Sequence, residues 1–468
     1  MSGIERTAAA PVTRADVGFR SERGPLLISI MLSIGLVAID STVIATAVPS
    51  VVASLGGFHQ FPWLFSVYLL AQAVTVPIYG KLADLFGRKP MMLLGIGFFL
   101  VGSILCGLAW SMVALIVFRA VQGLGAGAVQ PMSMTIVGDV YTTAERGRVQ
   151  GYIASVWAMS AVVGPTLGGV FSEFVNWRWI FFINIPLCLL AAGMLLRNFR
   201  EDVVRRKPQL DYRGAAVLTI GVTLLILGLL EGGEAWPWLS LAGIGVPAAG
   251  VALLVVFVML ERHAAEPVLP LWILRRRILV TSSLASLGIG AVLIGLTSYI
   301  PTFVQGVLGT GPLVAGFALA TFTLGWPIAA SQSGRAYMRL GFRTTALIGS
   351  AVAILGTSLT AFLGPTSPVY AVGAVCFIVG LGMGWTAAPT LIAAQTTVGW
   401  SDRGVVTAAN MFSRSMGSAV GVALFGAVAN LALPDLARAS GHVFLGIAVV
   451  AFLMGAAVFA MPETPTTA

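Results

Sequence analysis

Charge is scarce in this chain: Asp, Glu, Lys and Arg make up 10% of its 468 residues, against 57% hydrophobic. That scarcity excludes a chain soluble throughout and points to an integral membrane protein. Cysteine and histidine occur three times each. Cys106, Cys188 and Cys376 lie in separate apolar runs without pairing or metal-ligand spacing, so they read as small packing residues and no metal site is expected. His59 and His442 fall in outer segments and His263 in an inner one, which argues against histidine as an intramembrane proton carrier. No phosphate-binding loop is present, so ATP is not the expected energy source. No Asp, Glu, His or Cys residues converge at a membrane face. The longest polar stretches, about 197–213 and 261–277, fall short of the ~50 residues a folded catalytic domain needs. No catalytic residue is therefore assigned, and the chain is not expected to be an enzyme.

What the sequence has in abundance is apolar runs near the ~20 residues that a helix needs to cross a bilayer. Fourteen can be counted. Six lie between about 25 and 196, two at about 214–231 and 240–260, and six between about 279 and 461. The expected fold is all-α and integral to the membrane, arranged as six, two inserted and six helices. Its parts are a tail over 1–24, an N-terminal bundle over 25–200, inserted helices with their linkers over 201–278, a C-terminal bundle over 279–461 and a short tail over 462–468. With Met1 inside, 23 of the 27 basic residues fall in cytoplasmic segments. Both termini are thus expected in the cytoplasm of a plasma-membrane protein. This topology accounts for the net charge of +9 without nucleic acid. The first 24 residues lack an apolar core, so no cleavable signal is expected.

Two ionisable residues interrupt these runs. Asp40 sits in LISIMLSIGLVAIDSTVIATAVP and Arg119 in SMVALIVFRAVQGLGAGAVQPM. A charged group at the bilayer centre costs roughly 2.5–3.5 kcal/mol on insertion scales, so such residues are usually paired, titrated or both. Asp40 lies about 15 residues, ~22 Å, into its helix, and Arg119 about 7 residues, ~10 Å, below the outer end of its own, so the two can share a layer. Desolvation favours the neutral acid and an adjacent guanidinium favours the carboxylate. A contact made in one state and broken in another would therefore bind and release a proton. A static structural ion pair is the competing account. Arg414, about 10 residues into its run, has three readings: a partner for Asp40 across a central cavity, a strut on carbonyl groups, or a contact for an anionic substrate group. Asn410 lies one turn earlier on the same face and suggests a polar cavity wall.

An internal repeat links Gly80-Lys81-Leu82-Ala83-Asp84-Leu85-Phe86-Gly87 to Gly334-Arg335-Ala336-Tyr337-Met338-Arg339-Leu340-Gly341 at an offset of 254. It predicts two related six-helix bundles about a central cavity. In the first copy Gly80 and Gly87 permit tight turns, and Arg88 and Lys89 are expected to anchor a loop at the anionic inner leaflet. Lys89, Arg146 and Arg148 read more simply as solvated topology charges.

GKLADLFGRKP at 80–90, the RAVQGLGAG run from Arg119, GPTLGG at 164–169 and the segment AIDSTVIATAVP resemble signature motifs of the major facilitator superfamily. With fourteen runs and WRWIFFINIP at 177–186, the chain resembles its fourteen-helix drug:proton antiporter branch. The resemblance implies a major facilitator fold and proton-coupled export of amphipathic small molecules, with protons and substrate as partners and no cofactor. It implies a proton-transfer role for Arg119 and a closure role for Asp84, with Asp139 and Arg146 extending that network. Met338 replaces the acid in the second copy, so any lock is asymmetric. It also implies an exporter-type bend or close helix packing at Gly164, Pro165, Gly168 and Gly169. Candidates for an amphipathic pocket are Tyr68, Gln72, Trp157, Gln305, Phe322, Trp326 and Trp385, together with Asn410 and Arg414. A monomer working in the lipid bilayer is expected. Rival readings are export of a lipid, siderophore or amino acid by the same machinery, and a non-transporting receptor or scaffold.

Overall fold

In an apolar medium every backbone N–H and C=O needs an internal partner, and an apolar sequence of this kind meets that requirement by forming helices. The computed structural model describes residues 17–56, 60, 63–201, 211–232, 236–264, 267–432 and 435–464. Within them the N-terminal half folds as α1 (Gly24–Leu55), α2 (Trp63–Phe86), α3 (Arg88–Gly107), α4 (Met112–Val140), α5 (Thr143–Val170) and α6 (Trp179–Asn198). Next come α7 (Tyr212–Glu231) and α8 (Leu241–Glu261), which pack against each other. The C-terminal half is α9 (Arg277–Gly306), α10 (Pro312–Leu340), α11 (Phe342–Thr360), α12 (Val369–Thr396), α13 (Arg403–Asn430) and α14 (Leu436–Phe459). Most of the expected tail, including Arg6 and Arg14, and linker residues Arg205, Arg206 and Lys207 lie outside the described residues, as do His59 and the side chain of Pro165.

Among the described residues twelve helices are long and apolar enough to cross a membrane, two fewer than the fourteen expected. The two helices outside this set are α5, 28 residues long, and α7, 20 residues long, each of which includes side chains outside the described residues.

Each half closes around its own apolar core. One is built on Ile30, Ile34, Phe99, Met132 and Ile153, the other on Ile289, Leu296, Phe322, Val379 and Phe444. The halves meet through two crossed pairs, α2 against α13 and α10 against α5. Small residues bring these pairs together. A Cβ at Gly80 would collide with Ala408, and one at Gly147 would collide with the backbone of Gly334. The helix pair α7–α8 flanks this junction, α7 packing on α2 and α13.

The repeat offset of 254 is visible in the backbone. Gly87 has φ 98° and ψ 159°, and Gly341 has φ 87° and ψ 160°. Each is the sole residue between two helices, so the expected 80–90 loop is in fact the last turns of α2, one glycine and the start of α3. Gly80 lies inside α2 as a packing residue and makes no turn. The positive φ at 87 and 341 belongs to a region that only glycine enters without strain. We expect Gly87→Ala and Gly341→Ala each to destabilise the fold by about 1–3 kcal/mol. The check is a drop of a few degrees in the thermal midpoint of the purified protein. An unchanged midpoint in both would refute the strain argument.

Candidate functional site

Asp40 enters its site from the middle of α1, sixteen residues or ~24 Å from Gly24. Arg119 enters from α4, seven residues or ~10 Å from Met112 at the opposite end of the bundle. They meet: Arg119 donates to Asp40 Oδ2 at 2.6 Å, and both residues are 1% exposed. Sequence depth alone left Arg414 as an alternative partner for Asp40, and the geometry selects Arg119. The rest of the layer satisfies what this pair leaves over. Gln122, one turn along α4, accepts from Arg119 at 2.7 Å and donates to Asp40 Oδ1 and Ser103 Oγ, both at 2.8 Å. Asn184 of α6 donates to Asp40 and Ser103 at 3.4 and 3.3 Å. The Arg119 guanidinium lies 4.1 Å from the centre of the Tyr68 ring, and its Nε donates to Leu64 O at 3.2 Å. Tyr68 is thus part of the charged layer, 2% exposed, and is no cavity wall. Gln122 and Asn184 were not anticipated. Their signals were the i, i+3 spacing from Arg119 and the Asn inside WRWIFFINIP.

A second charged cluster lies at the end of the molecule where α1 starts and α14 finishes, here termed the basic end. Arg88, expected at a lipid headgroup, is instead fully buried. It pairs with Asp84 at 2.9 Å and Asp139 at 3.0 Å, donates to the carbonyls of Ala83 and Trp400, and stacks 3.9 Å from the Trp400 ring centre. The reason is that α2 passes directly into α3, so residue 88 turns inward between the helix ends. Asp84 caps the neighbouring bundle: Gly404 N and Val405 N, in the first turn of α13, donate to its two oxygens at 2.9 and 2.7 Å. A carboxylate on free N–H groups at a helix N-terminus is favoured by both hydrogen bonding and the helix dipole. Asp139 also accepts from Arg403 at 2.8 Å. Lys89 donates to the carbonyls of Leu196 and Phe199 at the end of α6, and Glu201 caps the start of α3. Arg146 is likewise buried and donates to the carbonyls of Tyr141 and Gly138. Arg146 is therefore not the solvated topology charge that its loop position suggested, whereas Lys89 stays half-exposed.

In the second copy the link between the halves is made by an uncharged group. Tyr337 of α10 donates from its hydroxyl to Thr143 O and accepts from Gly147 N at 3.0 Å, in the first turns of α5. Together with Gln395 donating to Met134 O at 3.4 Å, these bonds join the two halves at the basic end.

The remaining candidates divide. A Cβ at Gly164 would strike Thr42, so this glycine is needed for close packing of α5 on α1. Gly168 is buried, and Gly169 faces open space. Asn410 accepts from Ser286 at 2.9 Å and donates to Ser282 O at 3.2 Å, fastening α13 to α9; it does not face a polar cavity. Gln305 is exposed, and Phe322 is buried against Trp326 at 5.9 Å between ring centres. Gln72, Trp157, Trp326, Trp385 and Arg414 are half-buried on helices of the inter-half junction. All three cysteines are free and buried.

Removing one partner of a buried ion pair leaves an uncompensated charge, at a cost of about 3–5 kcal/mol. We therefore expect Asp40→Ala to lower the thermal midpoint markedly. The double variant Asp40→Leu with Arg119→Met, which removes both charges, should recover most of that loss. A double variant no more stable than Asp40→Ala would show that charge pairing does not hold this layer together.

Comparison with known proteins agrees with this architecture. Residues 30–422 match the family described as the Major Facilitator Superfamily. The chain is 34% identical over 403 residues to "Multidrug resistance protein 3" of Bacillus subtilis (strain 168), covering 86% of this chain and 79% of that one. It is 31% identical over 413 residues to "Multidrug transporter protein MdtP" of the same organism, covering 88% and 76%. Among solved structures it is similar in fold to "the human organic anion transporter MFSD10 (TETRAN)", with a TM-score of 0.66 at 17% identity over 92% of this chain and 99% of that one. The chain is a multi-pass membrane protein that belongs to the major facilitator superfamily of transporters, a family whose members are generally not enzymes.

Proposed function

We propose that this protein is a proton-coupled antiporter that exports amphipathic small molecules, drugs among them, across the plasma membrane by alternating access. The observation that carries the reading is the sealed Asp40–Arg119 pair at mid-depth. A carboxylate there can hold a proton only while its guanidinium partner and amide donors are displaced, so proton occupancy and conformation are linked. The multidrug relatives supply the substrate class. In this reading α5 and α7 also cross the bilayer, giving six, two and six spans, with both termini cytoplasmic, no cofactor and a monomer as the working unit. The basic end then faces the cytoplasm. Since Asp84, Arg88, Asp139, Arg403 and Tyr337 join the halves there, the conformation is the one closed to the cytoplasm.

Two measurements test the proposal. Asp40→Asn retains shape and hydrogen bonding but cannot release a proton. In reconstituted vesicles it should lose substrate accumulation driven by a pH gradient while retaining exchange down a substrate gradient. Near-normal uphill transport by the folded variant would remove Asp40 as the proton carrier. Asp84→Asn weakens two charge-assisted bonds to α13, each contributing about 1.5–3 kcal/mol. It should bias the equilibrium away from the closed state by tenfold or more. Flux should fall with substrate affinity little changed, because Asp84 forms no part of the pocket. Equal losses of affinity and flux would contradict a purely conformational role.

A further inference from the structure

Arg414 is the charged side chain within the spans that the two clusters leave unused. It lies in α13, eleven residues or ~16 Å from Arg403, at a depth where an ionised group needs a counter-charge. Its backbone is fixed: a Cβ at Gly290 of α9 would collide with the Arg414 carbonyl, and Ser418, one turn on, donates to Gly290 O at 3.1 Å. With α9 behind it, the side chain reaches sideways to α10, where the guanidinium lies 5.0 Å from the centre of the Trp326 ring. Among the described residues that ring is the one aromatic partner of the guanidinium, and no hydrogen-bond acceptor or ion-pair partner is found for it. None is near. From 277 to 459 the sequence holds two acids, Asp402 and Asp435, both just outside the ends of α13 and α14. Asp40 is already taken by Arg119, Gln122 and Asn184.

The surroundings favour a ligand over a strut. Both α13 and α10 are junction helices, packed on α2 and α5 of the other half, so a side chain bridging them lies on the face that borders the space between the halves. Arg414 and Trp326 are only half-buried, as is Trp385, whose α12 packs closely on α10 through Gly384. Trp326 is itself held edge-on by the buried Phe322. A guanidinium with free donors beside an exposed aromatic face binds one kind of group well: a planar carboxylate, or a sulfonate or phosphate, attached to a flat apolar body.

We infer that Arg414 and Trp326 form an anion subsite, and that this protein takes organic anions with an aromatic or otherwise flat apolar portion. The inference rests on the transport reading for its cargo, but the binding it describes needs no proton coupling. An anionic lipid headgroup offers the same chemistry, and the experiment separates the two sources.

Dansylglycine and its methyl ester form a matched pair that differs in one negative charge. Their binding to the full-length protein in zwitterionic phosphatidylcholine nanodiscs, at one pH and without a gradient, can be read by energy transfer from tryptophan. Wild type should bind the acid at least tenfold more tightly than the ester. Arg414→Gln should bring that ratio close to one with ester affinity changed less than threefold, and Arg414→Lys should restore part of the preference. Asp40→Asn should keep the preference even where proton-driven transport is lost, so failure of the coupling reading is distinguishable from failure of this one. A wild type without preference for the acid, an Arg414→Gln protein that keeps it, or equal loss of both ligands would overturn the subsite. Displacement of the acid when phosphatidylglycerol is added to the nanodiscs would assign Arg414 to a lipid headgroup and overturn its assignment to cargo.

Discussion

The cost of holding an ionised group away from water governs this structure. An apolar bundle tolerates a carboxylate or guanidinium only where its charge and its remaining hydrogen-bonding capacity are met by other groups. At Asp40 that requirement accounts for four residues from three other helices: Arg119 and Gln122 from α4, Ser103 from α3 and Asn184 from α6. Ser103 serves indirectly by engaging the two amides that face Asp40. Helix positions in the N-terminal half are therefore set by polar geometry as well as by packing. Anything that changes the charge on Asp40 acts on all of these helices together.

The same constraint explains why the two repeats differ. Both bring a glycine of the second helix in one half against the first turn of a helix in the other, Gly80 against α13 and Gly334 against α5. In the first pair the Asp84 carboxyl caps α13, and the guanidinium of the buried Arg88 pairs with both Asp84 and Asp139. In the second pair Met338 stands at the position of Asp84, and the neighbouring Tyr337 makes the cross-connection with an uncharged hydroxyl. One junction thus responds to charge and solvent entry far more than the other, although the backbone turns at Gly87 and Gly341 are nearly superposable in φ and ψ.

Much of this was legible in the sequence because hydropathy and helical rise convert position into depth. The helical class, the repeat offset and the shared layer of Asp40 and Arg119 all follow from that conversion. What it does not give is azimuth, the direction in which a side chain leaves its helix. Gln122 and Asn184 went unassigned, and Asn410 was placed on a cavity wall when it turns toward Ser286. Arg88 was misplaced for a related reason: a basic residue after a glycine reads as a headgroup anchor unless it is known that the chain reverses within one residue. The fourteen-span count rests on apolarity alone, and among the described residues twelve helices are long and apolar enough to cross a membrane.

The buried pair and the charged closure share two of their helices. α2 carries Tyr68 over Arg119 and, twelve and sixteen residues on, packs Gly80 and Asp84 against α13. α4 carries Arg119 and, twenty residues or ~30 Å on, Asp139. Between the two clusters these helices are locked by close approach: Gly123 sits against Tyr68 and Ala71, Gly127 against Gln72 and Thr75, and Gly125 against Gly95 and Phe99 of α3. Packing of this density transmits displacement with little local give. In the proposed cycle, displacement of Arg119 when Asp40 takes up a proton is carried along α2 and α4, with Pro77 and Pro131 as the points where each helix can bend on the way, toward Asp84 and Asp139. These are the two carboxylates that hold α13 across the junction. The coupling needs no chain of titrating groups between the sites, only two closely packed helices that each carry a member of both clusters.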